Sequence, residues 1–112
     1  MKVYLQTYGC QANMADSEAI AGILKQNNYE LTDNEDEAEA IIVNTCSVKN
    51  ATQNKEIHYI QEKSKTKKVF VGGCLTKTID IRKSAPDVTA VFDTNSILKV
   101  SEILETEQDY FS

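Results

Sequence analysis

The sequence predicts an α/β domain with a central, mostly parallel sheet of five strands, and three observations carry that prediction. Short segments rich in β-formers alternate with helical patterns along the whole chain, the order that produces parallel strands joined by right-handed crossovers. Two of those segments, Ala40-Ile41-Ile42-Val43 and Lys67-Lys68-Val69-Phe70-Val71, contain apolar runs of strand length, as expected of strands covered on both faces. The 112 residues, 41% apolar and 26% charged, suffice for one cored domain without disulfide staples. A chain of this mass should keep roughly 6,200 Å² of surface on folding, about one-third of what it exposes unfolded.

Taken in order, residues 3–8 alternate and read as the first strand. Gly9-Cys10-Gln11-Ala12-Asn13 is a turn-rich break, after which Asn13 or Asp16 can cap a helix with Ala19, Ile20, Ile23 and Leu24 on its apolar face. Asn27-Asn28 stops that helix, and residues 29–31 form a short second strand. Five acids among residues 33–39 predict a solvated loop or short helix. The third strand, 40–43, ends at Asn44-Thr45-Cys46. A polar helix follows over 51–64, anchored by Ile57 and Ile60. The fourth strand ends at Gly72-Gly73-Cys74, a short helix spans 78–83 before Pro86, residues 88–92 are the last strand, and 96–104 the last helix, with Ile97, Val100, Ile103 and Leu104 inward. Residues 1–105 thus read as one domain, and 106–112 as the start of a linker toward a further domain.

Composition excludes several classes of function. No apolar run approaches the ~18 residues of a membrane span, and Met1-Lys2 leads directly into the first strand, so a soluble, cytoplasmic chain without a membrane partner is expected. A formal net charge of −5 argues against strong nucleic-acid binding by this piece alone, DNA included. Three cysteines in such a chain point to chemistry or packing rather than a disulfide framework.

Each cysteine follows a predicted strand: Cys10 the first, Cys46 the third, Cys74 the fourth. Parallel strands all point one way, so the three positions share the sheet edge at which open α/β sheets carry ligands. Each also precedes a helix, whose N-terminal N–H groups favour a thiolate. Cys10 and Cys74 follow glycine, which lets the backbone turn tightly. A zinc site would need His58, the sole histidine, as its fourth ligand, yet mid-helix His58 should point away from this edge. An iron–sulfur cluster on three thiolates would leave one iron with an open position. Three independent buried cysteines are the plain structural alternative. A Cys-x₅-Arg phosphatase loop fails, because the sixth residues after the three cysteines are Asp16, Thr52 and Asp80. Cys-x-x-Cys, Gly-x-Gly-x-x-Gly and Gly-Lys-Ser/Thr motifs are also missing from the sequence.

Three motifs, in order, resemble the N-terminal domain of the radical-SAM tRNA methylthiotransferases: Thr7-Tyr8-Gly9-Cys10-Gln11-Ala12-Asn13-Met14-Ala15-Asp16-Ser17-Glu18, then Asn44-Thr45-Cys46-Ser47-Val48-Lys49, then Gly73-Cys74-Leu75. The resemblance implies a flavodoxin-like, Rossmann-like three-layer sandwich whose Cys10, Cys46 and Cys74 hold an auxiliary 4Fe-4S cluster. It further implies a second 4Fe-4S cluster and S-adenosylmethionine in a separate radical-SAM domain, an RNA-binding domain of the same chain, and tRNA as substrate. Insertion of a methylthio group into a modified adenosine is the implied reaction, and this domain alone should be inactive. Residues 44–52 look more like the branch acting on N6-threonylcarbamoyladenosine beside the anticodon than like the isopentenyladenosine or ribosomal-protein branches. Asn13, Asn44, Lys49 and Lys77 are candidates for the polar surroundings of the cluster, solvated surface lysines being the plainer reading of Lys49 and Lys77. An electron-transfer or phosphocysteine carrier module of the same fold is the alternative from another class.

Overall fold

The computed structural model describes residues 1–9, 11–46 and 51–111, without the side chains of Gln11, Ala12, Ala51 and Thr52. Its five strands are β1 (Lys2–Thr7), β2 (Glu30–Leu31), β3 (Ala40–Thr45), β4 (Lys68–Gly73) and β5 (Ala90–Val91). They pair in the order β2-β1-β3-β4-β5, every pair parallel. The helices are α1 (Gln11–Gln26), α2 (Ala51–Ser64), α3 (Leu75–Thr78), α4 (Ile81–Ser84) and α5 (Val100–Thr106), with 3-10 turns at Glu35–Glu37 and Thr94–Lys99. The predicted three-layer α/β fold is therefore correct, and the sheet is wholly parallel.

Alternation along the strands divides the core in two. Val3, Ala40, Ile42, Phe70 and Ala90 meet Ile20 and Leu24 of α1 and Val100, Ile103 and Leu104 of α5 on one face. Ile41, Val43, Val69, Val71 and Val91 meet Ile60 of α2, Leu75 of α3 and Ile81 of α4 on the other. All six residues of β3 are buried, as its unbroken apolar run requires of a central strand. The folded surface is 6123 Å², close to the value expected from mass.

The structure departs from the sequence reading in several places; the helix read over 96–104, for one, is a 3-10 turn at Thr94–Lys99 followed by α5, and the strand read over 88–92 is confined to Ala90–Val91. Neither Asn13 nor Asp16 caps α1, which already begins at Gln11. Asn13 lies inside the first turn and spends its side chain on two strand ends, so a tertiary demand replaces the local capping role. The helix expected over 78–83 is two separate turns, α3 and α4, broken at Ile79-Asp80, because the Asp80 side chain caps α4 by accepting from the Lys83 N–H. Finally, Asp109 and Tyr110 lie beside β5. Tyr110 donates its N–H to the Val91 carbonyl at 2.9 Å, and Asp109 accepts from the Val91 N–H at 2.9 Å.

Candidate functional site

The strand order reverses direction between β1 and β3, and in open α/β sheets that switch point opens a crevice at the carboxyl ends of the strands. Gly9 follows β1, Cys46 follows β3 and Cys74 follows β4, so the crevice carries the residues singled out by spacing. Cys46 is buried, Cys74 is half-buried, and both are free thiols. The Cys74 N–H donates to the Thr45 carbonyl at 3.2 Å, which ties the departure of one cysteine to the residue preceding the other. Cys10 and Lys49 lie outside the described residues.

Two glycines allow this approach. Gly9 has φ +104°, and a Cβ on it would stand 2.6 Å from the Cys46 Cβ and 2.7 Å from its Sγ. The Cys46 side chain therefore occupies the notch left by the absent side chain of Gly9. Gly73 has φ +94°, and a Cβ there would come within 2.4 Å of the Thr45 carbonyl oxygen. Both are conformations that L side chains rarely adopt.

A buried polar frame holds the strand ends. The Asn13 amide donates to the Tyr8 carbonyl at 2.8 Å and the Thr45 carbonyl at 2.7 Å. Asn44 donates to the Asn13 carbonyl at 2.8 Å and to Ser17 Oγ at 3.0 Å, while Ser17 and Thr7 share a hydroxyl bond of 2.6 Å. Thr45 Oγ1 donates to the Gly72 carbonyl and accepts from the Leu75 N–H at 3.2 Å. The structure thus brings Asn13, Asn44, Cys46 and Cys74 together. Lys77 sits exposed in α3, three residues past Cys74.

Sequence reasoning passed over Glu56. It is fully buried in α2, and its Oε1 accepts the Cys46 backbone N–H at 2.6 Å. Among the described residues its Oε2 has no hydrogen-bond partner. Burial pushes the Glu56 carboxyl above its usual range, and the Cys46 N–H bond draws it partly back. The available signal was its place four residues before Ile60, on the inward face of α2.

His58 is exposed on α2 and lines a groove of about 660 Å³ together with Tyr8, Lys55, Tyr59 and Lys63. The Tyr8 and Tyr59 rings meet edge to face, 6.1 Å between centroids. Among the described residues, no three His, Cys, Asp or Glu side chains cluster closely enough to hold a metal ion. No described helix is long and apolar enough to cross a membrane.

The family described as "Uncharacterized protein family UPF0004" matches residues 2–93, all five strands included. The chain belongs to this family. Among curated relatives, it is 40% identical over 113 residues to a tRNA-2-methylthio-N(6)-dimethylallyladenosine synthase of Sulfurihydrogenibium sp., covering 94% of this chain and 26% of the relative. The enzyme of the same name from Parabacteroides distasonis is 44% identical over 84 residues, covering 70% of this chain and 18% of the relative. That from Aquifex aeolicus is 34% identical over 115 residues, covering 96% and 26%. The resemblance to the methylthiotransferases is therefore correct, and this UPF0004 chain spans about a quarter or less of the length of these relatives.

Proposed function

We propose that this chain is the N-terminal, cluster-binding domain of a radical-SAM tRNA methylthiotransferase, with Cys10, Cys46 and Cys74 as the ligands of an auxiliary 4Fe-4S cluster. The observation that carries the reading is the placement of Cys46 and Cys74 after adjacent parallel strands, with the Cys46 side chain seated against Gly9, the residue before Cys10. The donor set fits such a group: soft thiolates suit iron–sulfur clusters, and Cys46 and Cys74 are free thiols that follow adjacent parallel strands. When bound, a cluster with three protein ligands supplies an iron with an open position for a sulfur atom. The chain's own part is positional. Asn13 and Asn44 hold the ends of β1 and β3, Thr45 holds the start of α3, and Lys77, exposed three residues past Cys74, is assigned the role of offsetting negative charge at the rim.

The second 4Fe-4S cluster, S-adenosylmethionine and the RNA-binding surface would belong to other domains of a longer protein, which would act in the cytoplasm. The names of the relatives favour N6-dimethylallyladenosine in tRNA as the nucleoside, the isopentenyladenosine alternative. They lend no support to the threonylcarbamoyladenosine branch suggested by residues 44–52.

Anaerobic reconstitution with iron and sulfide tests the assignment. About four irons per chain are expected, with the broad visible absorption of a four-iron cluster. Cys46→Ala should lose most of that iron; full occupancy in the variant would remove Cys46 from the ligand set. Flavin uptake or phosphorylation of Cys10 without iron binding would favour the carrier alternative instead.

A further inference from the structure

Glu56 is a buried carboxyl that neither the apolar core nor the cysteine motifs explain. It shares the inward face of α2 with Ile60 and is fully buried. Burying a carboxyl with one oxygen unpartnered among the described residues is unfavourable, and an apolar side chain of similar size would avoid that cost only by orphaning the Cys46 N–H. One contact sets Glu56 apart, the 2.6 Å bond from the Cys46 backbone N–H to its Oε1. That N–H sits where the chain has just left β3, so its partner must come from elsewhere in the fold.

We propose that Glu56 is a positioning residue for Cys46, fixing the exit from β3 and hence the place of the thiol at the strand end. The inference deepens the proposed function and rests on its reading of Cys46 as a cluster ligand. The thiol is then bounded on two sides. Its side chain lies in the notch of Gly9, where a Cβ would come within 2.7 Å of Sγ, and its backbone is anchored to α2. The two cysteines are held differently. Cys74 is tied by its own N–H to the backbone of β3, whereas Cys46 depends on a side chain 10 residues further along. Glu56 therefore acts on Cys46 and not on Cys74.

The test compares Glu56→Leu, which removes the acceptor, with Glu56→Gln, which keeps a carbonyl oxygen for the Cys46 N–H. Iodoacetamide labelling of the iron-free chain, resolved by peptide mass spectrometry, should show Cys46 modified about tenfold faster in the Leu variant. Cys74 should be unchanged, and the Gln variant should stay within about twofold of wild type at both positions. Thermal stability of the Leu variant should stay near that of wild type, relief of the buried carboxyl offsetting the orphaned Cys46 N–H, and unchanged labelling of Cys74 separates loss of positioning from general loosening. Should Leu not be accommodated, Glu56→Met repeats the comparison. After reconstitution, the Leu variant should release iron to a chelator about tenfold faster than wild type, with the Gln variant restoring retention. Equal labelling of Cys46 in all three proteins would overturn the proposal. So would a parallel rise at both cysteines with a fall in stability. If wild type takes up no iron, the ligand reading fails, while the labelling ratio still decides the role of Glu56.

Discussion

The centre of the sheet and its flank beyond β5 are both secured by polar contacts, but of different kinds. At the centre, Asn13, Ser17, Asn44 and Thr45 are buried and neutral: Asn13 and Thr45 bind strand carbonyls, and Asn44 binds the Asn13 carbonyl of α1 and the Ser17 hydroxyl. At the flank, Arg82 grips Asp109 through two guanidinium nitrogens at 2.6 and 2.7 Å, with 43% and 32% of the two side chains exposed. Buried neutral bonds are costly to break because the orphaned group cannot turn to water. Exposed ion pairs are worth little, since water and salt replace the partner. The cysteine-bearing edge should therefore be the rigid part and the flank the tolerant one.

The strongest challenge to that contrast is Gly73→Ala. The substitution adds a Cβ 2.4 Å from the Thr45 carbonyl at a φ of +94°, where backbone rather than a flexible side chain must move. A loss of about 3 kcal/mol or more is expected from overpacking and backbone strain together. Urea unfolding measures it, and a loss under about 1 kcal/mol would mean that this edge yields easily. Asn13→Ala comes next. It strips a shared donor from the Tyr8 and Thr45 carbonyls without adding bulk, and should cost about 2 kcal/mol. A cost no greater than that of an exposed substitution would show that water replaces the amide.

These residues also mark how far the sequence could be read. The strands were legible because their signal is local: an apolar run such as 40–43 dictates a buried strand wherever it pairs. One-way strand direction then brought Cys46 and Cys74 to one edge without knowledge of any contact. Only the capping reading of Asn13 fails, because that local option competes with a tertiary one, and the fold alone places the Tyr8 and Thr45 carbonyls within its reach. Glu56 went unnoticed because its partner is a backbone N–H, which every residue carries. The docking of Asp109 on β5 pairs residues 18 positions apart in sequence, with no pattern in between.

The smallest effect belongs to that flank, and its pH dependence has a definite sign. Hydrogen bonds from Arg82, and with them the Val91 N–H and the nearby positive charge, hold the Asp109 carboxyl below its usual range against the opposing effect of burial. A carboxyl with a depressed folded-state pKa contributes stability that is fully present above its unfolded value, about 3.9. That contribution is lost as pH falls through the lower folded value. Asp109→Asn should then destabilise the chain by about 1 kcal/mol or less near neutrality, given the exposure of the pair. The difference from wild type should hold steady above about pH 5 and shrink below about pH 3, as wild type loses the same charge. Added salt should narrow it at neutral pH, whereas the Asn13→Ala deficit should not respond to salt. Parallel unfolding series at low and high salt separate the two. A salt-insensitive loss of several kcal/mol from Asp109→Asn would show that the segment at 109–110 belongs to the structural core as firmly as the strand ends do.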